Sequence, residues 1–156
     1  MKIPHKINIG VSHYDVCMVN SLFFKSQGRI NYLTKKLKVR RCGNDPRLEN
    51  SIFLHEVSHA IIKELEFSYP QLVFYRNHEV FIEEMGLHLY VKMKALTASD
   101  PNLKEFDKEQ FAREIIKNLS FHYEKFGLFE YNPYFVHKLG VILENVFKQL
   151  LEHQTS

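Results

Sequence analysis

The chain contains no tryptophan and only two cysteines, and no segment reaches the roughly 18 consecutive apolar residues that a membrane-spanning helix needs. Cys17 and Cys42 are too few for a disulfide scaffold and lack the paired spacing of a thiolate zinc site, so we expect a reducing compartment. The amino terminus has Lys2, His5 and Lys6 where a signal peptide would be apolar. These absences predict a cytoplasmic protein that does not enter a membrane.

The rest of the composition is that of a packed globular domain. Hydrophobic residues make up 45% and charged residues 25% of the 156 residues, which excludes a disordered chain and a collagen-like fibre. The 13 Phe and 8 Tyr residues must supply much of the buried area. The length predicts one domain, residues 1–156.

Charge is unevenly distributed along the chain, although the net charge is only +3. Residues 1–50 hold ten Lys and Arg against three Asp and Glu, whereas residues 51–156 hold eleven against fifteen. The basic residues of 25–47 could attract nucleic acid or an acidic partner. The plainer alternative is that Lys and Arg alternate on the solvated face of a sheet.

Two segments near the amino terminus alternate apolar and polar residues, which is typical of β-strands. The first, KINIGVSHYDVCMV over residues 6–19, has a turn at its centre and predicts a β-hairpin. The second, RINYLTKKLKVRR over residues 29–41, follows a polar break at Ser26, Gln27 and Gly28 and predicts another. Residues 1–44 should therefore form β-hairpins in an antiparallel sheet.

The remainder of the chain predicts helices, which makes the fold class α+β. Asp45-Pro46 signals the start of a helix that runs to about residue 67, and a second helix begins after Asn77 and reaches about Leu96. We call residues 45–97 the metal-site helices and residues 100–156 the carboxy-terminal extension. The extension should hold a helix with a capping box at Asp107 and Gln110 that stops at Gly127, and another that starts at Asn132-Pro133.

The first predicted helix contains the sequence His55-Glu56-Val57-Ser58-His59. Residues four apart share one face of a helix, so both imidazoles can bind one metal ion, and zinc is the metal that this pattern favours. Glu56 lies at the edge of that face, where it can reach a water at the metal without binding the metal itself. This is the location of a general base.

Chance alone would place such a motif in about 5% of chains of this composition, so its surroundings matter. Two histidines and a glutamate on the buried face of an apolar helix carry a desolvation cost unless a partner satisfies them. A bound metal would be such a partner.

A hydrolytic zinc site needs a third protein ligand and one open position for water. Glu79, which lies 20 residues after His59 near the start of the second predicted helix, is the best candidate. Glu83 follows one turn later and could accept the free ring N–H of a ligand histidine. Gly86 continues that face and would let the two helices approach closely. Two alternatives remain: Glu83 is itself the ligand, or Glu79, Glu83 and Glu84 form a solvated acidic face.

The order of these motifs resembles a known group of peptidases. His55 to His59 followed by Glu79 and Glu83 is similar to the gluzincin arrangement of zinc peptidases. With the two alternating segments upstream, residues 5–95 resemble the small ImmA/IrrE-like metallopeptidases that phages often encode. Many members have a small residue and Asn after the ligand Glu, whereas this chain has Ile82 and Glu83. The resemblance implies a zincin-like fold in the cytoplasm of a bacterial or phage-infected cell.

The resemblance also implies zinc-dependent hydrolysis of a peptide bond in a protein or peptide substrate, with Glu56 moving the proton. The strand near 37–41 would be an edge strand that holds the substrate extended. A further donor to the oxyanion is expected from a tyrosine or histidine. The candidates are Tyr69, Tyr75, His78, His122, Tyr123 and His137.

Other readings of the same residues remain open. In one, the chain keeps the fold without catalysis and binds nucleic acid or a protein partner through the basic hairpins. In another, it resembles SprT-like proteases, which act on DNA-bound proteins, with His78 as the third ligand. A third uses Cys42 as a thiolate ligand, as peptide deformylases do, although their glycine-rich and glutamine-bearing motifs are absent.

Overall fold

The amino-terminal segment, in which apolar and polar residues alternate, forms a four-stranded sheet. The structure is a computed structural model that describes residues 1–20 and 27–156. Its strands are β1 (Lys6–Ile9), β2 (Ser12–Val19), β3 (Gly28–Asn31) and β4 (Lys36–Arg40). Strands β1 and β2 pair antiparallel, as do β3 and β4, which confirms both predicted hairpins. The predicted break at Ser26 and the basic residue Lys25 lie outside the described residues.

The sheet is mixed, which corrects the predicted antiparallel sheet. The strand order is β1-β2-β4-β3, and β2 and β4 run parallel. Strands β2 and β3 run in opposite directions and are not adjacent, because β4 lies between them. Leu37 and Val39 of β4 are fully buried, whereas Ile30 of β3 is only half-buried, so the more apolar strand takes the interior position.

This order also corrects the predicted edge strand at residues 37–41. That segment is interior, and the edges of the described sheet are β1 and β3. One face of the sheet is apolar and packs against the first helix, and its buried residues are Ile7, Ile9, Tyr14, Val16, Leu37 and Val39. The opposite face is polar and exposed.

Six α-helices follow the sheet, which confirms the α+β class. They are α1 (Pro46–Glu66), α2 (Val73–Arg76), α3 (Glu79–Ser99), α4 (Lys108–Ser120), α5 (Glu124–Gly127) and α6 (Pro133–Thr155). One 3₁₀ segment spans Pro70–Leu72, and another spans Leu128–Tyr131. No helix in the described ranges combines the length and the apolar character that crossing a membrane requires.

The helix starts follow the capping signals of the sequence. Asp45 accepts hydrogen bonds from the backbone N–H groups of Arg47 and Leu48, both at 3.1 Å, and Asp107 caps α4 in the same way. The capping box at Asp107 is incomplete, because the Gln110 side chain donates to Glu114 instead. The predicted single helix ending at Gly127 is instead two helices, α4 and the short α5.

Helix α1 lies at the centre of the molecule, between the sheet and α3. Most of its residues are buried, and it contacts β1, β3, β4, α3 and α6. Gly86 of α3 lies against the backbone of α1: a Cβ at Gly86 would lie 3.2 Å from the Cα and N atoms of His55. The close approach expected at Gly86 is therefore confirmed, and it brings the metal-motif helix beside the helix that starts with Glu79.

Candidate metal centre

Three predicted ligand side chains converge where α1 meets the first turn of α3. The Nε2 atom of His55 lies 2.9 Å from Oε2 of Glu79, and the Nε2 atom of His59 lies 3.2 Å from Oε1 of the same carboxylate. The two imidazole rings have centroids 5.0 Å apart. One ligand atom from each residue lies within 4.8 Å of the other two, so the group could bind a metal ion.

Local structure explains why these side chains meet. His55 and His59 are four residues apart on α1 and therefore lie on one face. Glu79 is the first residue of α3, and His78 caps that helix by accepting a hydrogen bond from the Phe81 N–H at 3.3 Å. The cap sets where α3 begins, and the contact at Gly86 sets how near α3 lies to α1.

The donor set suits a transition metal. Two imidazole nitrogens and one carboxylate oxygen make the three-ligand set that leaves a fourth position open in catalytic zinc sites. The Glu79 side chain is 70% exposed and that of His55 is 24% exposed, so the group is open to solvent on one side. His59 is buried, and desolvation is the main reason that its pKa is lowered, which favours the neutral imidazole that a metal requires.

Glu56 lies beside the three candidate ligands in a buried position. It is 5% exposed, and in the metal-free protein desolvation, followed by the negative charge of Glu79, raises its pKa to about 8. Gly28 of β3 covers it: a Cβ there would lie 2.5 Å from Oε1 of Glu56. The backbone of the edge strand therefore runs directly over this carboxylate.

Two cavities open on either side of Glu56 and Glu79. The first, of about 450 Å³, is also lined by Leu48, Ile52 and Glu83. The second, of about 370 Å³, is also lined by Arg76 and by residues of and after β3. Because Gly28 lines both cavities, a groove follows the edge strand past the metal group.

Glu83 lines the first cavity but does not accept a hydrogen bond from either His55 or His59. It is exposed and makes no hydrogen bond or ion pair within the described ranges. Glu79 is the carboxylate that approaches both His55 and His59, so the ligand role of Glu83 is not favoured over that of Glu79.

Arg76 and Tyr32 border the second cavity, and the sequence analysis missed both. The Arg76 guanidinium lies 5.2 Å from the centroid of the Tyr32 ring and also donates to Glu66. Burial raises the pKa of Tyr32 to about 12, so its hydroxyl stays protonated. Arg76 belongs to a four-residue helix, and Tyr32, which the alternating pattern marked only as a residue of the second hairpin, lies in a turn.

The six tyrosines and histidines expected as oxyanion donors lie elsewhere. His78 is the helix cap, and its ring packs against Tyr123. His122 pairs with Glu84 and His137 with Glu109, each at 2.8 Å. Tyr69 and Tyr75 pack among phenylalanines of the core, as Tyr123 does. None of the six lines either cavity beside the metal group.

Cys42 and His78 were also alternative metal ligands, and the structure does not bring either to the group of His55, His59 and Glu79. The Cys42 thiol donates to the backbone carbonyl of Arg40 at 3.4 Å. His78 uses its Nδ1 atom to cap α3.

Comparison with protein-family models, with curated proteins and with solved structures found no significant match to this chain.

Proposed function

We propose that this protein is a zinc-dependent peptidase that hydrolyses peptide bonds in a protein or peptide substrate. The observation that carries the proposal is the convergence of His55, His59 and Glu79 beside a buried glutamate, Glu56, on an open groove. The order of hairpins, motif helix and glutamate-bearing helix supports placing it with the ImmA/IrrE-like peptidases.

The four residues divide two tasks in this proposal, which are metal binding and proton transfer. His55, His59 and Glu79 hold the zinc ion, which when bound polarises a carbonyl oxygen and lowers the pKa of water. Glu56 takes a proton from the attacking water and transfers it to the leaving amine. A nearby dication favours ionised Glu56, which opposes the desolvation that keeps it protonated in the metal-free protein.

The substrate is an extended segment that lies along β3. In the described part of the sheet this strand has a neighbour on one side only, so its outer edge can pair with a peptide. A peptide at that edge passes Gly28 and therefore Glu56. Arg76 and Tyr32 line the second cavity together with Glu56 and Glu79, and we assign them as the donors to the oxyanion.

The proposed compartment is the cytoplasm of a bacterial or phage-infected cell. Cys17 and Cys42 are both free thiols, which fits a reducing environment.

Metal content and peptide cleavage together test the proposed function. Purified protein should hold about one zinc per chain by elemental analysis, and His59→Ala and Glu79→Ala should lose most of it. Glu56→Gln should keep the zinc while cleavage of a denatured-protein or peptide-library substrate falls at least about 100-fold. The matched control, Glu114→Gln, removes an exposed carboxylate of α4 and should change neither quantity.

Unchanged zinc content in both ligand variants would refute the site. Zinc that depends on these ligands, with no cleavage of any peptide in a diverse library, would refute the peptidase and leave a metal-binding module.

A further inference from the structure

The outer face of the sheet, which points away from α1, is strongly basic. Alternate residues of the strands lie on this face, and most of them are exposed, whereas Cys17 and Val19 of β2 are half-buried. Five of these residues are cations and one is acidic: Lys6, Arg29, Lys36, Lys38, Arg40 and Asp15. Within residues 1–20 and 27–156, none of the five cations forms an ion pair.

The register of the strands places like charges together. Arg29 of β3 is directly opposite Lys38 of β4, an arrangement that destabilises a sheet. Lys36 and Arg40 lie on either side of Lys38, each about 7 Å away along the same strand, so β4 carries a row of cations about 13 Å long. Asp15 of β2 lies between Lys6 of β1 and Lys36 of β4 in the register, at one end of this row. The repulsion is relieved when a polyanion lies on the face.

We propose that this face binds double-stranded DNA through its phosphate backbones. A DNA duplex carries one negative charge per about 1.7 Å of its axis, so several phosphates fit over a row of this length. The other exposed positions of the face are Asn8, His13 and Asn31, whose side chains can also donate hydrogen bonds to phosphate oxygens.

The outer face lacks the side chains that single-stranded nucleic acid and protein partners most often use. Its described strand positions hold no exposed aromatic side chain, and stacking on aromatic rings is what holds single-stranded nucleic acid. The same positions therefore lack the tryptophan and tyrosine anchors that carry much of the binding energy at protein interfaces. Duplex RNA is recognised largely through 2′-hydroxyl groups in its minor groove, and the competition experiment below distinguishes it from duplex DNA.

This proposal does not depend on the proposed peptidase function. The cations lie on the face opposite to the one that packs against α1, whereas the candidate metal ligands belong to α1 itself and to α3. A duplex on the outer face therefore leaves the groove beside β3 open to a substrate.

Fluorescence anisotropy of the full chain with a labelled DNA duplex of about 20 base pairs tests the proposal. If four cations contact phosphates, affinity should fall about 100-fold between about 50 and about 200 mM salt. Arg29→Gln with Lys38→Gln should weaken binding at least about 10-fold at the lower salt and make the log–log salt slope shallower by about 2. Because the double variant removes facing like charges, its melting temperature should not fall.

The matched control removes two exposed lysines of the carboxy-terminal extension, Lys104→Gln with Lys148→Gln, and so changes net charge equally. Its affinity should stay within about 2-fold of the parent, because these positions are not on the sheet. The proposal is overturned by no duplex binding at the lower salt, by an equal loss in the control, or by equal or tighter binding of single-stranded DNA, duplex RNA or an acidic polypeptide used as competitor.

Discussion

At the scale of single residues, the surroundings of Glu56 strongly raise the pKa of its carboxyl group. It lies beneath Gly28, beside the carboxylate of Glu79, and is almost fully removed from water. Burial disfavours its charged form, and the neighbouring negative charge adds to that effect. A side chain at position 28 would displace this carboxylate, which accounts for glycine at that position of the edge strand.

The raised pKa of Glu56 predicts how the stability of the metal-free protein depends on pH. The folded state holds the Glu56 proton up to about pH 8, whereas the unfolded state releases it near pH 4.5, so this residue lowers stability as pH rises between those values. In EDTA, the free energy of unfolding of Glu56→Gln relative to the parent should rise by about 1.4 kcal/mol per pH unit between about pH 5 and pH 8.

Urea denaturation of both proteins over this range measures the difference. Comparing the two proteins cancels the contribution of His59, whose lowered pKa acts in the opposite direction below about pH 6.5. A difference that does not change with pH would show that Glu56 is ionised in the metal-free protein.

At the scale of elements, the metal group depends on the contact between α1 and α3. Two of the proposed ligands lie on α1 and the third begins α3, so the distance between the helices sets whether one ion can reach all three. Gly86 keeps that distance short by presenting no side chain to the His55 backbone.

A branched side chain at Gly86 should therefore weaken metal binding. Gly86→Val pushes α3 away from α1, and we expect zinc affinity to fall about 10- to 100-fold while stability falls by about 1–3 kcal/mol. Competition with a chromogenic chelator measures the affinity.

Gly140→Val is the matched control. A Cβ at Gly140 would lie 2.9 Å from the Lys108 carbonyl oxygen, between α6 and α4 and away from the ligands. It should destabilise the protein to a similar degree with zinc affinity unchanged; equal losses of affinity in the two variants would mean that general destabilisation, and not helix spacing, is the cause.

Some features of the site and fold are local, and these could be predicted. Asp45-Pro46 starts α1 as expected, and His55 and His59 share a face because helix geometry requires it. The position of β4 between β2 and β3 could not be predicted, because it depends on which strand edges find each other after the hairpins form. Arg76 and Tyr32 reach the groove through tertiary packing, which leaves no periodic trace in the chain.

At the scale of the whole molecule, the last helix joins the first strand. The Gln149 side chain of α6 accepts from the Asn8 N–H and donates to the Asn8 carbonyl, both at 2.8 Å, and so occupies the free edge of β1. Gln154 forms a similar pair with the backbone of Lys2. The carboxy-terminal extension thus covers a sheet edge that would otherwise expose unpaired backbone groups.

Removing this link should destabilise the fold without affecting the metal group. Gln149→Ala loses both hydrogen bonds and should lower the free energy of unfolding by about 1–2 kcal/mol, as measured by urea denaturation, with zinc affinity unchanged. The neighbouring exposed residue provides the control, since Lys148→Ala should stay within about 0.5 kcal/mol of the parent. Equal effects of the two substitutions would argue that the edge of β1 needs no cover.

The exposure of the Glu79 carboxylate has a kinetic consequence. Two nitrogen donors are anchored in a packed helix, while the single oxygen donor faces solvent at the first turn of its own helix. An ion can therefore arrive and depart by swinging one side chain, with the polypeptide still folded. Stripping by a chelator should be rapid and fully reversible, and its rate should rise with chelator concentration because the stripping agent can attack from the open side.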